Sequence, residues 1–176
     1  MINRRFALLA AAAALVAAPA SAQTLLERFA GTGAGATTFV QMVTISDNFE
    51  IESSRYLLSR SQHPQIRQFA QMMVEHHTMT SRELQAIPDA ATRVPAQLDE
   101  RRTGLLLALR NTDNEDLLNR TYVQQQVDSH EEAVMVFETY ANGGEVPSLR
   151  TFAQRHLPLI RQHLEMARAL QAPRAQ

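Results

Sequence analysis

The chain has 176 residues, of which 45% are hydrophobic, with no cysteine and a formal net charge of −1. This length suits one domain with a core that needs no covalent staples, and the lack of cysteine excludes disulfide and thiolate chemistry. The slightly acidic balance argues against a nucleic-acid-binding protein, because such proteins carry a basic surface.

The first 22 residues have the three parts of a secretory signal peptide. Arg4 and Arg5 form a positive start, residues 6–18 are almost all Ala, Leu and Val, and residues 20–22 read Ala-Ser-Ala. The apolar stretch is shorter than the about 20 residues of a membrane span. The pattern predicts a protein of the periplasm or a secreted one, without a membrane span after cleavage. The paired arginines leave Sec and twin-arginine export both open.

We expect mass spectrometry of the exported protein to find Gln23 as its first residue, because Ala20 and Ala22 occupy the two positions that a signal peptidase reads. A mature chain that retains Met1 would contradict this cleavage.

Residues 23–36 are predicted to be a flexible linker because residues 31–38 are small and polar, and the folded domain is predicted to occupy residues 37–171. Helical periodicity begins at Phe39 and is broken at Pro64, which can open the next helix at its first turn. The second helix ends before Pro88.

The second half of the chain predicts three further helices. A loop with two prolines covers residues 88–96, and a short amphipathic helix follows over residues 98–110. Asp113 or Asn114 can cap the third long helix, which stops at the glycines 143 and 144. Pro147 starts the last one.

Four long amphipathic helices predict an all-α protein with a four-helix bundle. The first and last pairs have short links and should form antiparallel hairpins. The long middle connection, with its small helix, is typical of a ferritin-like bundle with one crossover, although an up-down topology also fits this pattern.

The chain resembles an exported bacterial family called domain of unknown function 4142. The resemblance implies a ferritin-like helical bundle and no established activity. The chain departs from the family pattern in two places. It has His76 where the family usually has Asp, and Leu118-Asn119 where the family usually has Phe-Asp. Four stretches between Phe39 and Leu170 carry the resemblance: Phe39-Val40 with Glu50-Ile51-Glu52, the run from Phe69 to Thr78, Tyr122 with the run from Gln126 to Val134, and Leu157-Pro158-Leu159 with His163-Leu164.

One polar residue interrupts the apolar face of each long helix: Glu50, His77, His130 and His163. Three imidazoles and one carboxylate suit a divalent transition metal such as zinc, iron, nickel or copper. These four residues are therefore the predicted metal site. The alternative is a hydrogen-bonded core network that fixes helix register, with Glu50 paired to a buried His or to Arg55.

Counting residues from the turns tests whether the four side chains lie at one height. Glu50 and His77 are 13 and 14 residues from His63, and are nearly level. His130 is 14 residues before Gly144, His156 is 12 after it and His163 is 19 after it. The count thus favours His156, whereas the family pattern favours His163, and His156 stays in reserve.

A ferritin-type di-iron centre needs Glu-x-x-His on two helices, and no histidine here has an acidic residue three positions before it. No catalytic residue is assigned. The function that we predict is a non-enzymatic exported bundle that binds a metal ion or a protein partner in the cell envelope. The alternative is a metal-dependent oxidoreductase that uses the same His and Glu residues.

Overall fold

The computed structural model describes residues 35–91 and 97–171, and every regular element in these ranges is a helix. The prediction of an all-α protein is therefore confirmed. The signal peptide and nearly all of the predicted linker lie outside the described residues. The helices are α1 (Ala36–Arg60), α2 (Pro64–Gln85), α3 (Pro88–Ala91), α4 (Glu100–Arg110), α5 (Glu115–Gly143) and α6 (Pro147–Gln171).

Local sequence signals set most of these boundaries. Pro64 opens α2, and the ring of His63 accepts a hydrogen bond from the Ile66 N–H at the helix start. Asn114 caps α5 by accepting from the Leu117 N–H at 2.9 Å, as predicted. Pro147 is the first residue of α6, also as predicted.

Three boundaries differ from the sequence expectation. Helix α1 begins at Ala36, three residues before the apolar periodicity starts, because the Ala36 N–H is held by the Glu145 carboxylate at 2.9 Å. Pro88 begins a four-residue helix inside the segment predicted as a loop. Helix α4 begins at Glu100 because Asp99 caps it, accepting from the Arg102 N–H at 2.7 Å.

The four long helices pack as two hairpins, α1 with α2 and α5 with α6. Helix α1 also packs against α5, and α2 against α6. The start of α5 lies beside the α1–α2 turn, where the Gln62 N–H donates to Glu115 at 2.6 Å. Helices α2 and α5 therefore run in the same direction, and the segment with α3 and α4 returns the chain along the bundle. The relation to ferritin-like bundles stays a prediction.

The apolar core of the bundle falls into two clusters. One surrounds Phe39, Tyr140 and Phe152 near the α5–α6 turn, and the other surrounds Phe69 and Tyr122 near the α1–α2 turn. Each of the helices α1, α2, α5 and α6 contributes buried residues from one end to the first cluster and from the other end to the second, and the boundary lies near the middle of the helix. The buried polar residues at these mid-helix positions form a separate layer between the two clusters. No helix in the described ranges is long and apolar enough to cross a membrane.

The turn between α5 and α6 requires glycine at only one of its two glycine positions. A Cβ on Gly144 would lie 2.4 Å from the buried Tyr140 ring, which stacks on Phe39 with ring centroids 4.0 Å apart. A Cβ on Gly143 would meet no atom within 4 Å.

We therefore expect Gly144→Ala to lower the free energy of unfolding by about 1–3 kcal/mol, because the core must shift to admit the methyl group. Gly143→Ala, the matched control at the end of α5, should change it by less than about 1 kcal/mol. Chemical denaturation of both variants measures the difference, and equal values would show that the Tyr140 packing does not constrain the turn.

Candidate metal centre

Three histidines from three helices meet in the polar layer: His77 of α2, His130 of α5 and His163 of α6. Their ring centroids are 5.4 to 5.6 Å apart. One ring nitrogen from each lies within 4.8 Å of the other two. At 2%, 1% and 1% exposure, all three are sealed from solvent. The structure thus brings together three of the four residues that the sequence predicts, and we call them the histidine cluster.

The imidazole of His77 is held from behind by a buried carboxylate. Its Nδ1 lies 2.7 Å from Oδ1 of Asp47, and Oδ2 of Asp47 accepts from the Ser81 hydroxyl at 2.9 Å. A carboxylate is an acceptor, so His77 Nδ1 carries a proton, and in the neutral ring Nε2 has the lone pair. This is the arrangement in which outer-shell carboxylates orient histidine ligands of metals.

The other two imidazoles of the cluster are held in a similar way. Nδ1 of His130 donates to the main-chain carbonyl of Gln126 at 2.8 Å, one turn earlier on α5. Nε2 of His163 lies 2.8 Å from Nδ1 of His76. Each ring of the cluster therefore uses one nitrogen to fix its orientation and has the other available.

The available nitrogens are His77 Nε2, His130 Nε2 and His163 Nδ1, and none of them has a hydrogen-bond partner within the described residues. An unpartnered buried polar atom costs about 1–3 kcal/mol, and most proteins avoid it. Three such atoms on rings that pack against one another are explained if an electron-pair acceptor lies between the rings. This donor set fits a divalent transition metal.

Glu50 lies beside the cluster but outside its set of mutually close atoms. Its side chain is 1% exposed, and neither carboxylate oxygen makes a hydrogen bond at normal distance in the described part of the chain, although the side chains of Gln126 and Ser129 are near enough to contribute to lowering its pKa. The alternative pairing with Arg55 is wrong, because Arg55 is exposed on the outside of α1. Glu50 is close enough to His77 for the positive charge of a protonated His77 to lower the pKa of Glu50.

Burial and the neighbouring charges shift the pKa values in this layer in different directions. Burial raises the pKa of Glu50 to about 7, although the His77 charge lowers it in part. For His77, burial lowers the pKa, but the hydrogen bond to Asp47 and the charges of Asp47 and Glu50 outweigh it and leave the pKa raised.

Burial and then the His77 charge lower the pKa of His130 to about 3, and burial followed by the His77 and His130 charges lowers the pKa of His163 to about 2. Both imidazoles are therefore neutral at physiological pH, as metal ligands must be.

The height count that favoured His156 is wrong. Nε2 of His156 lies 3.0 Å from Glu83, its ring packs on Phe152, and it takes no part in the cluster. The α5–α6 turn is centred near Glu145 rather than Gly144. Side chains also tilt toward the N-terminus of their helix, so that His130 points away from the turn and His163 toward it. Both effects reduce the offset between these two residues.

A buried arginine, which sequence reasoning did not identify, lies close to this layer. Arg102 of α4 is 5% exposed and bonds Asp99 at 2.8 Å and Glu132 at 2.9 Å. Its charge also contributes to lowering the pKa of Glu50. A signal was present, because Arg102 lies on one helical face with the buried Leu106 and Leu109.

The comparisons with known proteins give one match. A family model described as a domain of unknown function (DUF4142) matches residues 16–170. No curated protein and no solved structure gives a significant match.

Proposed function

The chain belongs to the family described as a domain of unknown function (DUF4142), and because this description assigns no activity, we propose a function from the site itself. The domain is an exported bundle of the bacterial cell envelope that binds one divalent transition metal ion. His77, His130 and His163 supply the ligand nitrogens, and Glu50, which is buried beside them, is the candidate fourth ligand.

The observation that carries this proposal is the convergence of three buried imidazoles, each of which has one unpartnered nitrogen while its other nitrogen is engaged. A network that only fixed helix register would pair these atoms with one another or with nearby donors, because unpaired buried groups destabilise the fold. Protonation does not occupy the nitrogens of His130 and His163 either, because the pKa values of both residues are far below neutrality. A bound cation is the partner that satisfies all three.

Glu50 supports the same proposal through its charge. A buried carboxylate with a pKa of about 7 is poorly stabilised by its surroundings. A divalent ion among three neutral imidazoles would offset that desolvation, and carboxylate oxygens are normal ligands of zinc beside histidine. The site therefore offers a set of three nitrogens and one oxygen.

The oxidoreductase remains the second candidate, and one observation favours it. Glu50 lies outside the set of mutually close atoms, and three protein ligands with an open fourth position are typical of catalytic metal sites. Addition of azide to the cobalt-loaded protein separates the two candidates. Binding of azide at the metal, seen as a changed visible spectrum, supports an open position, whereas an unchanged spectrum supports a closed site with Glu50 as a ligand.

The test of the proposed function is elemental analysis of the mature protein, purified from its own periplasm without added metal. We expect about one zinc, iron, nickel or copper ion per chain. The triple variant with alanine at positions 77, 130 and 163, prepared in parallel, should contain none. Equal metal content in the two proteins, or none in either, would contradict the proposal.

A further inference from the structure

The hydrogen bond behind His163 differs from those behind the other two rings of the histidine cluster. Asp47 and the Gln126 carbonyl are acceptors only, so they place the protons of His77 and His130 on Nδ1. Behind His163 stands a second imidazole, that of His76, with Nδ1 2.8 Å from His163 Nε2. Either ring can be the donor of this bond, so its direction decides which nitrogen of His163 carries the proton.

Only one direction of this bond leaves His163 able to bind a metal. If His163 Nε2 donates to His76, then His163 Nδ1, which is buried and has no partner within the described residues, keeps a lone pair that can bind a metal. If His76 donates instead, a neutral His163 carries its proton on Nδ1. That proton would then occupy the only nitrogen of His163 that is available to a metal.

We propose that His76 is the positioning residue of the metal centre: its Nδ1 accepts the Nε2–H of His163 and thereby directs the His163 Nδ1 lone pair at the ion. The inference rests on the proposed metal-binding function, and it names the outer partner that the third ligand requires. The ion is then bound through Nε2 of His77 and His130 but through Nδ1 of His163.

The geometry around His76 suits this role. Its ring lies edge to edge with that of His163, with centroids 5.1 Å apart and an angle of 18° between the planes, as a hydrogen bond between two ring nitrogens requires. His76 is half-buried and precedes His77 on α2, so one helix supplies both a ligand and the outer partner of another ligand. The bond joins α2 to α6, so the His163 ring keeps its orientation only while these two helices stay packed against each other.

Two variants of His76 with side chains of similar size test whether the residue acts by accepting a hydrogen bond or only by packing against His163. His76→Asn keeps an acceptor oxygen at the position of Nδ1, whereas His76→Leu removes it. Loss of an outer-shell partner lowers metal affinity by about 10–100-fold. We expect that loss for Zn²⁺ with His76→Leu, and an affinity within about threefold of wild type with His76→Asn, in competition titrations against a zinc chelator. His156→Leu, outside the cluster, is the control and should leave the affinity unchanged.

A spectroscopic measurement tests the tautomer directly. Long-range ¹H–¹⁵N spectra of the zinc-loaded wild type should show His163 protonated at Nε2 and zinc-bound at Nδ1. Equal zinc affinity of wild type and His76→Leu, or zinc bound through His163 Nε2, would overturn the role of His76 while leaving the metal site intact. A wild-type protein that binds no zinc would instead overturn the proposed function, and this inference with it.

Discussion

Zinc added to the chelator-treated protein should raise its melting temperature by roughly 5–11 °C at a free concentration about 100 times the Kd, and His130→Ala should abolish that rise. At this concentration a ligand of the folded state contributes about 2.7 kcal/mol, and each kcal/mol shifts the melting temperature of a domain of this size by about 2–4 °C. His130 provides one of the three mutually close ring nitrogens, so alanine removes a ligand that no neighbour among the described residues replaces.

The control for this measurement is His156→Ala, which removes a buried imidazole outside the cluster. It should lower the melting temperature of the metal-free protein yet preserve the response to zinc. His130→Ala should also lower the metal-free stability, because the truncation leaves a cavity at a fully buried position. An equal zinc response in wild type and His130→Ala would leave only the hydrogen-bonded network as an explanation of the cluster.

The second large effect concerns Glu50 in the metal-free protein. Its pKa is raised from 4.5 to about 7 on folding, so the folded state binds the proton more tightly than the unfolded state. Stability from this group is therefore fully present below pH 4.5 and is lost as the pH rises to about 7. Above pH 7 the buried charge costs about 3 kcal/mol, since each pKa unit corresponds to about 1.4 kcal/mol.

We therefore expect Glu50→Gln to stabilise the metal-free protein by about 3 kcal/mol at pH 8 and to change its stability little at pH 4. The same variant should bind zinc more weakly than wild type if Glu50 is the fourth ligand. Urea denaturation at both pH values measures the first effect, and titration with zinc the second. Glu52→Gln, on the exposed side of α1, is the matched control and should show neither effect. A destabilised Glu50→Gln at pH 8 would contradict the description of Glu50 as an unpartnered buried charge.

The bundle and the histidine cluster could largely be predicted from the sequence because both depend on helical periodicity. Leu, Val and Phe at helical spacing define the buried faces, and a His or Glu on such a face is buried with them. Proline and asparagine at the helix starts set the boundaries of α2, α5 and α6. The burial of Asp47 could also have been predicted, because Asp47 precedes Glu50 by three residues and thus lies on the same face of α1.

The remaining features depend on how the helices pack, which periodicity does not determine. His76 is adjacent to His77 and points about 100° away from it around α2, so only the packing of α2 against α6 reveals its bond to His163. The choice between His156 and His163 likewise depended on the centre of the α5–α6 turn and on side-chain tilt. A count of residues along the helices gives neither the centre of the turn nor the tilt of the side chains.

The most direct test of the metal site is anomalous X-ray diffraction from crystals of the zinc-loaded protein, recorded on both sides of the zinc edge. We expect one anomalous peak between His77 Nε2, His130 Nε2 and His163 Nδ1, at about 2.0–2.1 Å from each nitrogen. A cluster without a peak in zinc-loaded crystals, or a peak confined to surface residues, would contradict it.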